Sequence, residues 1–351
     1  MLLKCWRSQQ FETDPKAHRR LLYLARMSNI PSKLFSVVRT PFSSPGTGKT
    51  VTIVEAIQQV LQANPQARIL ACAPSNSAAD LIAVKLTGLG NEKLFRFYAP
   101  SRAKKAVPDE LHPFMYENES GDFSHPSLPV LAQFKVIVCT CVSAAFASGV
   151  GMPRGHFTYI FVDEAGQATE PETMVSIKTM ADRNTNIILS GDPKQLGPII
   201  RSAVARELKL DVSYLERLME LEAYQPDIGH RISYVFPDFS DGSMNPIMIF
   251  RMVKLTKNYR SHRAILQFPN DRFYAGDLEQ CGNPQVIDSF LGSPILVQPK
   301  FPTVFHAVIG EDMREASSPS FFNLEEVLVV KDYVERLRTD PRYLISTRFM
   351  L

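Results

Sequence analysis

The stretch PFSSPGTGKT at residues 41–50 restricts the possible folds more than any other part of the sequence. A glycine-rich turn that ends in Lys-Thr, between a β-rich segment and an amphipathic helix, is typical of a phosphate-binding loop. In such a loop, backbone N–H groups and the helix N-terminus surround the phosphates, the lysine reaches the outer phosphate oxygens and the hydroxyl binds Mg²⁺. The residues assigned to the nucleotide are Pro45, Gly46, Thr47, Gly48, Lys49 and Thr50, and Thr50 is also a predicted Mg²⁺ ligand.

One position departs from the usual pattern G-x-x-x-x-G-K-[ST], because Ser43 stands where the first glycine is expected. A non-glycine residue forced into a rare backbone conformation there would cost about 1–3 kcal/mol. The chemistry of Lys49 and Thr50 does not depend on that residue. The sequence therefore predicts a phosphate loop with one compromised position, and a flexible turn is the alternative.

Two further strand ends carry side chains suited to nucleotide hydrolysis. In FVDEAGQ (161–167), strand alternation points Asp163 and Glu164 in different directions, so that one can hold Mg²⁺ and the other can activate a water molecule. In LSGDPKQLGP (189–198), a Gly-Asp-Pro turn presents Gln195, which can sense a γ-phosphate or orient water. A helix cap at the acidic pair and an ordinary polar loop at Gln195 are the structural alternatives.

Composition excludes several other classes of protein. Charges nearly balance, with 39 Lys+Arg against 36 Asp+Glu, so any nucleic-acid surface must be local. The five cysteines are scattered without a Cys-x-x-Cys pair, which favours a reduced, intracellular protein over a disulfide scaffold or a zinc site. The longest uncharged run, between Lys135 and Arg154, contains Ser, Thr and Gly and indicates a strand followed by a helix. We expect no membrane span.

Seven sequence words, spread in order from Ser44 to Asn323, resemble one helicase group. They are SPGTGKTVTIVEAI, APSNSAAD, YAPSR, VDEAGQATEPE, GDPKQLGPIIRS, LTKNYRSH and SPSFFN. This set resembles superfamily 1 helicases of the up-frameshift branch, most closely the Moloney-leukaemia-virus-10-like RNA helicases that include the Armitage type. The resemblance implies an α/β P-loop NTPase with a RecA-like parallel sheet, ATP and Mg²⁺ as cofactors, and movement 5′-to-3′ on single-stranded RNA.

The resemblance also assigns roles to individual residues. It implies that Asp163 holds Mg²⁺, that Glu164 activates water and that Gln195 couples the γ-phosphate to a second domain. Arg260 would donate charge to the γ-phosphate and Tyr259 would stack on adenine, although Arg260 could instead cap a helix or form a surface ion pair. The implied RNA-binding residues are Pro74, Ser75, Asn76, Thr140 and Arg201. For Ser75 and Asn76 a helix N-cap is an equal alternative, and a cap and a backbone contact can coexist.

The alternation of β-rich runs and helices predicts a parallel sheet with helices on both faces. The predicted segments are an atypical N-terminal segment (1–32), a first RecA-like ATP-binding domain (33–223) with an insertion at about 95–134, a linker (224–250) and a partial second RecA-like domain (251–351). In that second domain we predict a strand at 303–310 and a helix at 323–338.

Three functions stay open at this point. The first is an ATP-dependent RNA helicase, present here as a fragment. The second is a truncated module that binds RNA and ATP without cycling, and the third is a DNA helicase of the same branch, since only 2′-hydroxyl contacts separate the two sugars. The resemblance further implies a monomer in the cytoplasm or in ribonucleoprotein granules, with silencing-pathway proteins as partners.

Overall fold

The computed structural model describes residues 38–43, 46–221, 234–238, 245–315 and 320–340, with the side chains of 38–43, 234–238 and 245–252 left out. The chain divides into two compact units. The first consists of Met1–Ser43 with Gly48–Leu255, and the second of Ser44–Thr47 with Thr256–Leu351. The predicted N-terminal segment 1–32 and Pro45 lie outside the described residues.

The first unit is built on an eight-stranded sheet in the order β3-β4-β2-β5-β6-β1-β8-β7. All neighbouring strands are parallel except β7, which runs antiparallel to β8. The strands are β1 (Val38–Ser43), β2 (Ile69–Ala73), β3 (Leu94–Arg96), β4 (Val136–Thr140), β5 (Tyr159–Val162), β6 (Asn186–Leu189), β7 (Tyr234–Asp238) and β8 (Asn245–Leu255). The predicted α/β fold with a parallel sheet is confirmed.

Helices connect these strands. They are α1 (Lys49–Ala63), α2 (Asn76–Leu86), α3 (Leu128–Leu131), α4 (Ala145–Gly149), α5 (Glu170–Met180), α6 (Ala203–Glu207) and α7 (Tyr214–Glu220). Successive residues of β4 enter opposite cores, because Ile137 packs in one apolar cluster and Val138 in the other. The central strands are therefore buried on both faces, which explains their almost continuous apolar sequence.

The segments predicted as an insertion and as a linker both contain regular elements. The segment 95–134 begins within β3 and continues through 3₁₀ turns and α3. Strands β7 and β8 fall in or across the range 224–250 that we assigned to a linker, because residues 245–250 of β8 pair with β7 and the strand continues to Leu255, where residues 251–255 pair with β1. The transition between the units lies at Leu255. The domain boundaries themselves remain predictions.

The second unit contains short strands and three helices. The strands are β9 (Lys257–Asn258), parallel to β10 (Glu279–Gln280), and β11 (Asp312–Arg314), antiparallel to β12 (Phe321–Asn323). The helices are α8 (Arg263–Phe273), α9 (Pro284–Ile287) and α10 (Leu324–Thr339). The predicted final helix is present, but residues 303–310, predicted as a strand, form no regular element. Within the described ranges, no helix has the length and apolar character needed to cross a membrane.

Candidate nucleotide and nucleic-acid site

The carboxyl ends of five adjacent strands carry most of the residues singled out from the sequence. In the order β4-β2-β5-β6-β1, each strand is parallel to its neighbour, so their carboxyl ends meet at one edge of the sheet. We call the residues after β1, β5 and β6 the nucleotide side. We call those after β2 and at the end of β4 the nucleic-acid side.

The start of α1 has the geometry of a phosphate cradle. Gly46 and Gly48 adopt positive φ angles of 78° and 84°, which glycine tolerates without strain. No side chain caps the N-terminus of α1, and a helix N-terminus is a favourable place for an anion. Lys49, the first residue of the helix, is buried, as is Thr47. These features fit the triphosphate of a nucleotide.

Ser43 departs from its expected conformation. It is the last residue of β1 and pairs with Leu255 of β8, so it belongs to an extended strand. An extended backbone is open to any residue. The conformational cost expected for a serine at this position therefore does not arise in this structure.

The two predicted Mg²⁺ ligands are in direct contact. The Thr50 hydroxyl donates a hydrogen bond of 2.9 Å to Oδ2 of Asp163. Asp163 is 1% exposed, and its Oδ1 accepts the N–H of Glu164 at 3.0 Å. The described residues contain no cluster of three His, Cys, Asp or Glu side chains suited to a metal. A Mg²⁺ ion held here would take its remaining ligands from phosphate oxygens and water, as this ion commonly does.

Glu164 has an unusual backbone conformation. Its φ angle is +51°, a region that residues other than glycine rarely adopt and that costs about 1–3 kcal/mol. The turn is held by hydrogen bonds from the N–H of Ala165 to the carbonyl of Ser190 and from the N–H of Gln167 to the carbonyl of Glu164. Glu164 is partly exposed whereas Asp163 is buried, so the two carboxylates occupy different environments.

Gln195 is held in place by a residue that the sequence analysis did not single out. Its Nε2 donates a hydrogen bond of 2.7 Å to Oδ2 of Asp192, whose Oδ1 accepts the N–H of Lys194. Asp192 is 3% exposed. The sequence GDPKQ contained a signal for the role of Asp192, because an aspartate commonly accepts the backbone N–H groups of its own turn.

Two glycines bring the loops after β5 and β6 into backbone contact. A Cβ atom on Gly166 would lie 2.9 Å from the carbonyl oxygen of Asp192. A Cβ on Gly191 would lie 2.8 Å from the Gly166 nitrogen and 2.7 Å from a methyl of Leu215. The segment carrying Asp163 and Glu164 thus packs directly on the segment carrying Gln195.

On the nucleic-acid side, Pro74, Ser75 and Asn76 lie beside Thr140. Ala73 and Thr140 are partners across β2 and β4, and the N–H of Cys141 donates to the carbonyl of Ala73 at 2.9 Å. Ser75 is exposed, and its hydroxyl accepts the N–H of Ala78 as the N-cap of α2, so the capping alternative is realised. The Thr140 hydroxyl donates to Ser143. Arg201 is exposed, and no described contact joins it to the other four candidates.

A buried ionic cluster behind Asn76 was missed from the sequence. Arg96, at the end of β3, has no exposed surface and forms an ion pair of 2.7 Å with Asp80. Tyr98 donates its hydroxyl to the same Asp80 oxygen at 2.9 Å. The sequence did contain a signal for this cluster. Arg96 stands between Phe95 and Phe97 in an otherwise apolar strand, and a buried arginine requires a partner.

The remaining two candidates belong to the second unit. Tyr259 is 47% exposed and Arg260 is exposed. The side-chain oxygen of buried Asn258 accepts the N–H of Arg260 at 3.0 Å, which fixes the turn. His262 caps α8 through its Nδ1, so the capping role considered for Arg260 is filled by another residue. Within this unit, the N–H of Tyr259 also donates to the carbonyl of Gly46.

Comparison with known proteins adds independent findings. A family model described as an AAA domain matches residues 18–122 and 124–203, more than half of the chain, and a second AAA-domain model matches residues 244–343. The chain is 43% identical over 295 residues to the RNA helicase Mov10l1 of Homo sapiens, covering 83% of this chain and 23% of that protein. The Mus musculus RNA helicase Mov10l1 matches with the same identity and coverage.

A relative from Drosophila melanogaster, named "Probable RNA helicase armi", is 31% identical over 350 residues, covering 92% of this chain and 28% of that protein. The chain thus spans about a quarter of the length of these curated relatives.

Proposed function

The chain belongs to the superfamily 1 helicases of the up-frameshift branch, in the Moloney-leukaemia-virus-10-like group, and we propose that it hydrolyses ATP to move 5′-to-3′ along single-stranded RNA. The observation that carries the proposed hydrolysis is the contact of Thr50 with Asp163 beside the start of α1, and the proposed movement on RNA rests on the family resemblance. This contact joins a phosphate cradle and a buried carboxylate at one point of the sheet edge.

The residues of the nucleotide side divide the work of hydrolysis. Lys49 and the N–H groups at the start of α1 bind the phosphates, and Thr50 and Asp163 hold Mg²⁺. Thr50 and Asp163 would thereby place the positive charge of Mg²⁺ beside the phosphates. Glu164 accepts the proton of the attacking water. Gln195, oriented by Asp192, responds to the γ-phosphate.

From the family resemblance we also assign Arg260 and Tyr259 to ATP. Arg260 donates its planar guanidinium to the γ-phosphate, and Tyr259 stacks on adenine. This assignment rests on the family resemblance of the word NYRSH and on the exposure of both side chains.

The nucleic-acid side holds the strand by its backbone. The start of α2, with exposed Ser75 and partly exposed Asn76, offers hydrogen-bond donors to phosphate and sugar. The adjacent Thr140 hydroxyl, which donates to Ser143 in this structure, would exchange that contact for one with the strand. Contacts of this kind bind single strands without reading the bases. Arg201 adds a positive charge.

From the family resemblance we propose that the protein acts as a monomer in the cytoplasm or in ribonucleoprotein granules, with silencing-pathway proteins.

The test is ATP hydrolysis by the 351-residue chain in the presence of single-stranded RNA, compared between the native protein, Lys49→Ala and Ser43→Gly. We expect Lys49→Ala to lose at least about 100-fold in rate, since a preorganised charge on the phosphates is removed. Ser43→Gly is expected to stay within about threefold of native, because an extended residue gains little from glycine. Native hydrolysis that equals Lys49→Ala, with RNA still bound, would replace the helicase proposal with a non-cycling binding module.

A further inference from the structure

We propose that Arg96 is a positioning residue that fixes the side-chain carboxamide of Asn76 with its NH₂ group toward the bound strand. The inference deepens the proposed RNA contact of Asn76 and rests on it. It concerns a residue that lies behind the nucleic-acid side and does not touch the strand itself.

Arg96 is immobilised by several independent contacts. Its Nε and Nη2 lie 2.8 and 2.7 Å from Oδ1 of Asp80, and its Nη1 donates to the carbonyl of Phe97. Its guanidinium carbon lies 4.1 Å from the ring centre of Tyr98. Burial raises the pKa of Tyr98, so that its hydroxyl stays protonated and donates to Asp80. The Arg96 side chain has no exposed surface, so these contacts are not exchanged for water.

The remaining contact of Arg96 is with Asn76. Nη2 of Arg96 donates a hydrogen bond of 3.0 Å to Oδ1 of Asn76. A guanidinium has five N–H donors and no acceptor, so only the oxygen of a carboxamide can face it. The Asn76 NH₂ group must therefore point away from Arg96. The orientation of this amide follows from chemistry and does not depend on distinguishing its nitrogen from its oxygen.

This orientation matters at the proposed site. Asn76 is the first residue of α2 and is partly exposed, beside the exposed N-cap Ser75. A phosphate oxygen accepts hydrogen bonds, so an asparagine serves it only when the NH₂ group faces the strand. Because Arg96 holds the Asn76 amide in that orientation before RNA binds, binding does not incur the entropy cost of ordering this side chain. Asp80, four residues after Asn76 on the same face of α2, anchors the arginine that does this.

The first measurement is the Kd of a fluorescein-labelled oligouridylate for the native chain, Asn76→Ala, Arg96→Lys and the double variant. Asn76→Ala is expected to weaken binding about 10-fold, the loss of one hydrogen bond to a charged group. Arg96→Lys, which removes the planar fork, is expected to weaken it similarly and to add nothing in the Asn76→Ala background. Arg217→Lys, at the exposed ion pair with Glu170, is the matched control and should bind as native.

Hydrolysis separates positioning from a general structural defect. Arg96→Lys should raise the RNA concentration needed for half-maximal ATP hydrolysis and leave the maximal rate unchanged. Equal weakening of RNA binding by Arg96→Lys with and without Asn76 would overturn the proposal, because it would show that the arginine does not act through Asn76.

A variant that leaves the buried arginine intact tests the same idea if Arg96→Lys does not fold. Asn76→Asp would be held by Arg96 through one carboxylate oxygen and would present the other, charged, to the phosphate. It should therefore bind RNA more weakly than Asn76→Ala. Binding by Asn76→Asp that is as strong as by Asn76→Ala overturns the proposal.

The side-chain amide signal of Asn76 in a ¹⁵N-resolved NMR spectrum separates this inference from the proposed function. Failure of the native chain to bind the oligonucleotide would refute the proposed function. The positioning contact would still be tested by the amide signal, which should shift in Arg96→Lys and stay in place in Arg217→Lys. An unshifted signal in Arg96→Lys overturns the inference.

Discussion

The hydrogen bond from Thr50 to Asp163 is the single contact on which the nucleotide assignment depends most. Thr50→Val keeps the side-chain shape but removes a Mg²⁺ ligand, so hydrolysis should fall at least about 100-fold. The buried Asp163 carboxylate also loses a donor, which should lower the free energy of unfolding by about 1–3 kcal/mol. Steady-state hydrolysis across a Mg²⁺ titration and thermal melting measure the two effects. Thr50→Ser is the control, and a valine variant as active as the serine variant would contradict the assignment.

Glu164 combines backbone strain with a proposed catalytic role. Its positive φ is one that glycine adopts freely, so Glu164→Gly should raise the free energy of unfolding by up to about 1 kcal/mol while abolishing hydrolysis. Glu164→Gln keeps the strain and should lose hydrolysis without gaining stability, because an amide cannot accept the proton of water. Chemical denaturation and hydrolysis rates test both variants. A glycine variant less stable than the glutamine variant would refute strain at this position.

Residue chemistry was easier to predict than residue conformation. The motifs assigned Thr50 and Asp163 to the same Mg²⁺ ion, and the two side chains are in contact. The conformation of Ser43 did not follow, because a motif gives the residue type usually found at a position and not the backbone angles adopted here. Arg96 was missed because its partner Asp80 is 16 residues away in the sequence and is recognisable only after β3 and α2 have packed.

At the scale of elements, the close contact of the loops after β5 and β6 links the residues of hydrolysis to Gln195. Gly191→Ala would place a methyl group 2.8 Å from the Gly166 nitrogen and 2.7 Å from Leu215. We expect a loss of about 1–3 kcal/mol in stability from this overpacking, and hydrolysis slowed at least about 10-fold because the Gln195 turn is displaced. Thermal melting measures the stability and steady-state kinetics measure the hydrolysis rate.

Gly88→Ala is the control, because nothing lies within 4 Å of the added methyl group, and it should change neither the stability nor the hydrolysis rate. Native behaviour of Gly191→Ala would mean that the two loops adjust independently.

Two helices of the first unit have local start signals in the sequence. Thr169 and Glu172 form a capping box at α5, and Ser75 caps α2. Strands β7 and β8 pair with each other inside the range predicted as a linker, and β8 continues to Leu255, where it pairs with β1 from about two hundred residues earlier in the chain. The turn-forming residues of that range were the reason for predicting a linker. Local patterns cannot identify a partner so far away.

One edge of the sheet carries the residues proposed for two functions. The nucleotide side follows β1, β5 and β6, and the nucleic-acid side follows β2 and β4, so the proposed RNA contact and the proposed phosphate contact lie on adjacent strands of one sheet. The sequence predicted the membership of each side through its motifs. The strand order β4-β2-β5-β6-β1 could not be predicted from the sequence, because the order of strands in a parallel sheet depends on the crossover connections and not on local composition. This order determines that the two sides are neighbours.

We propose that binding of RNA at the nucleic-acid side of this edge promotes ATP hydrolysis at the nucleotide side. The most direct test is the steady-state hydrolysis rate of the 351-residue chain with increasing single-stranded oligouridylate or oligodeoxythymidylate, with Glu164→Gln as the blank. We predict that RNA raises the rate at least about 10-fold, the size of a typical coupling between sites. Equal stimulation by DNA would favour a DNA helicase of the same branch. A rate above the blank that neither oligonucleotide changes, although the chain binds both, would contradict the account.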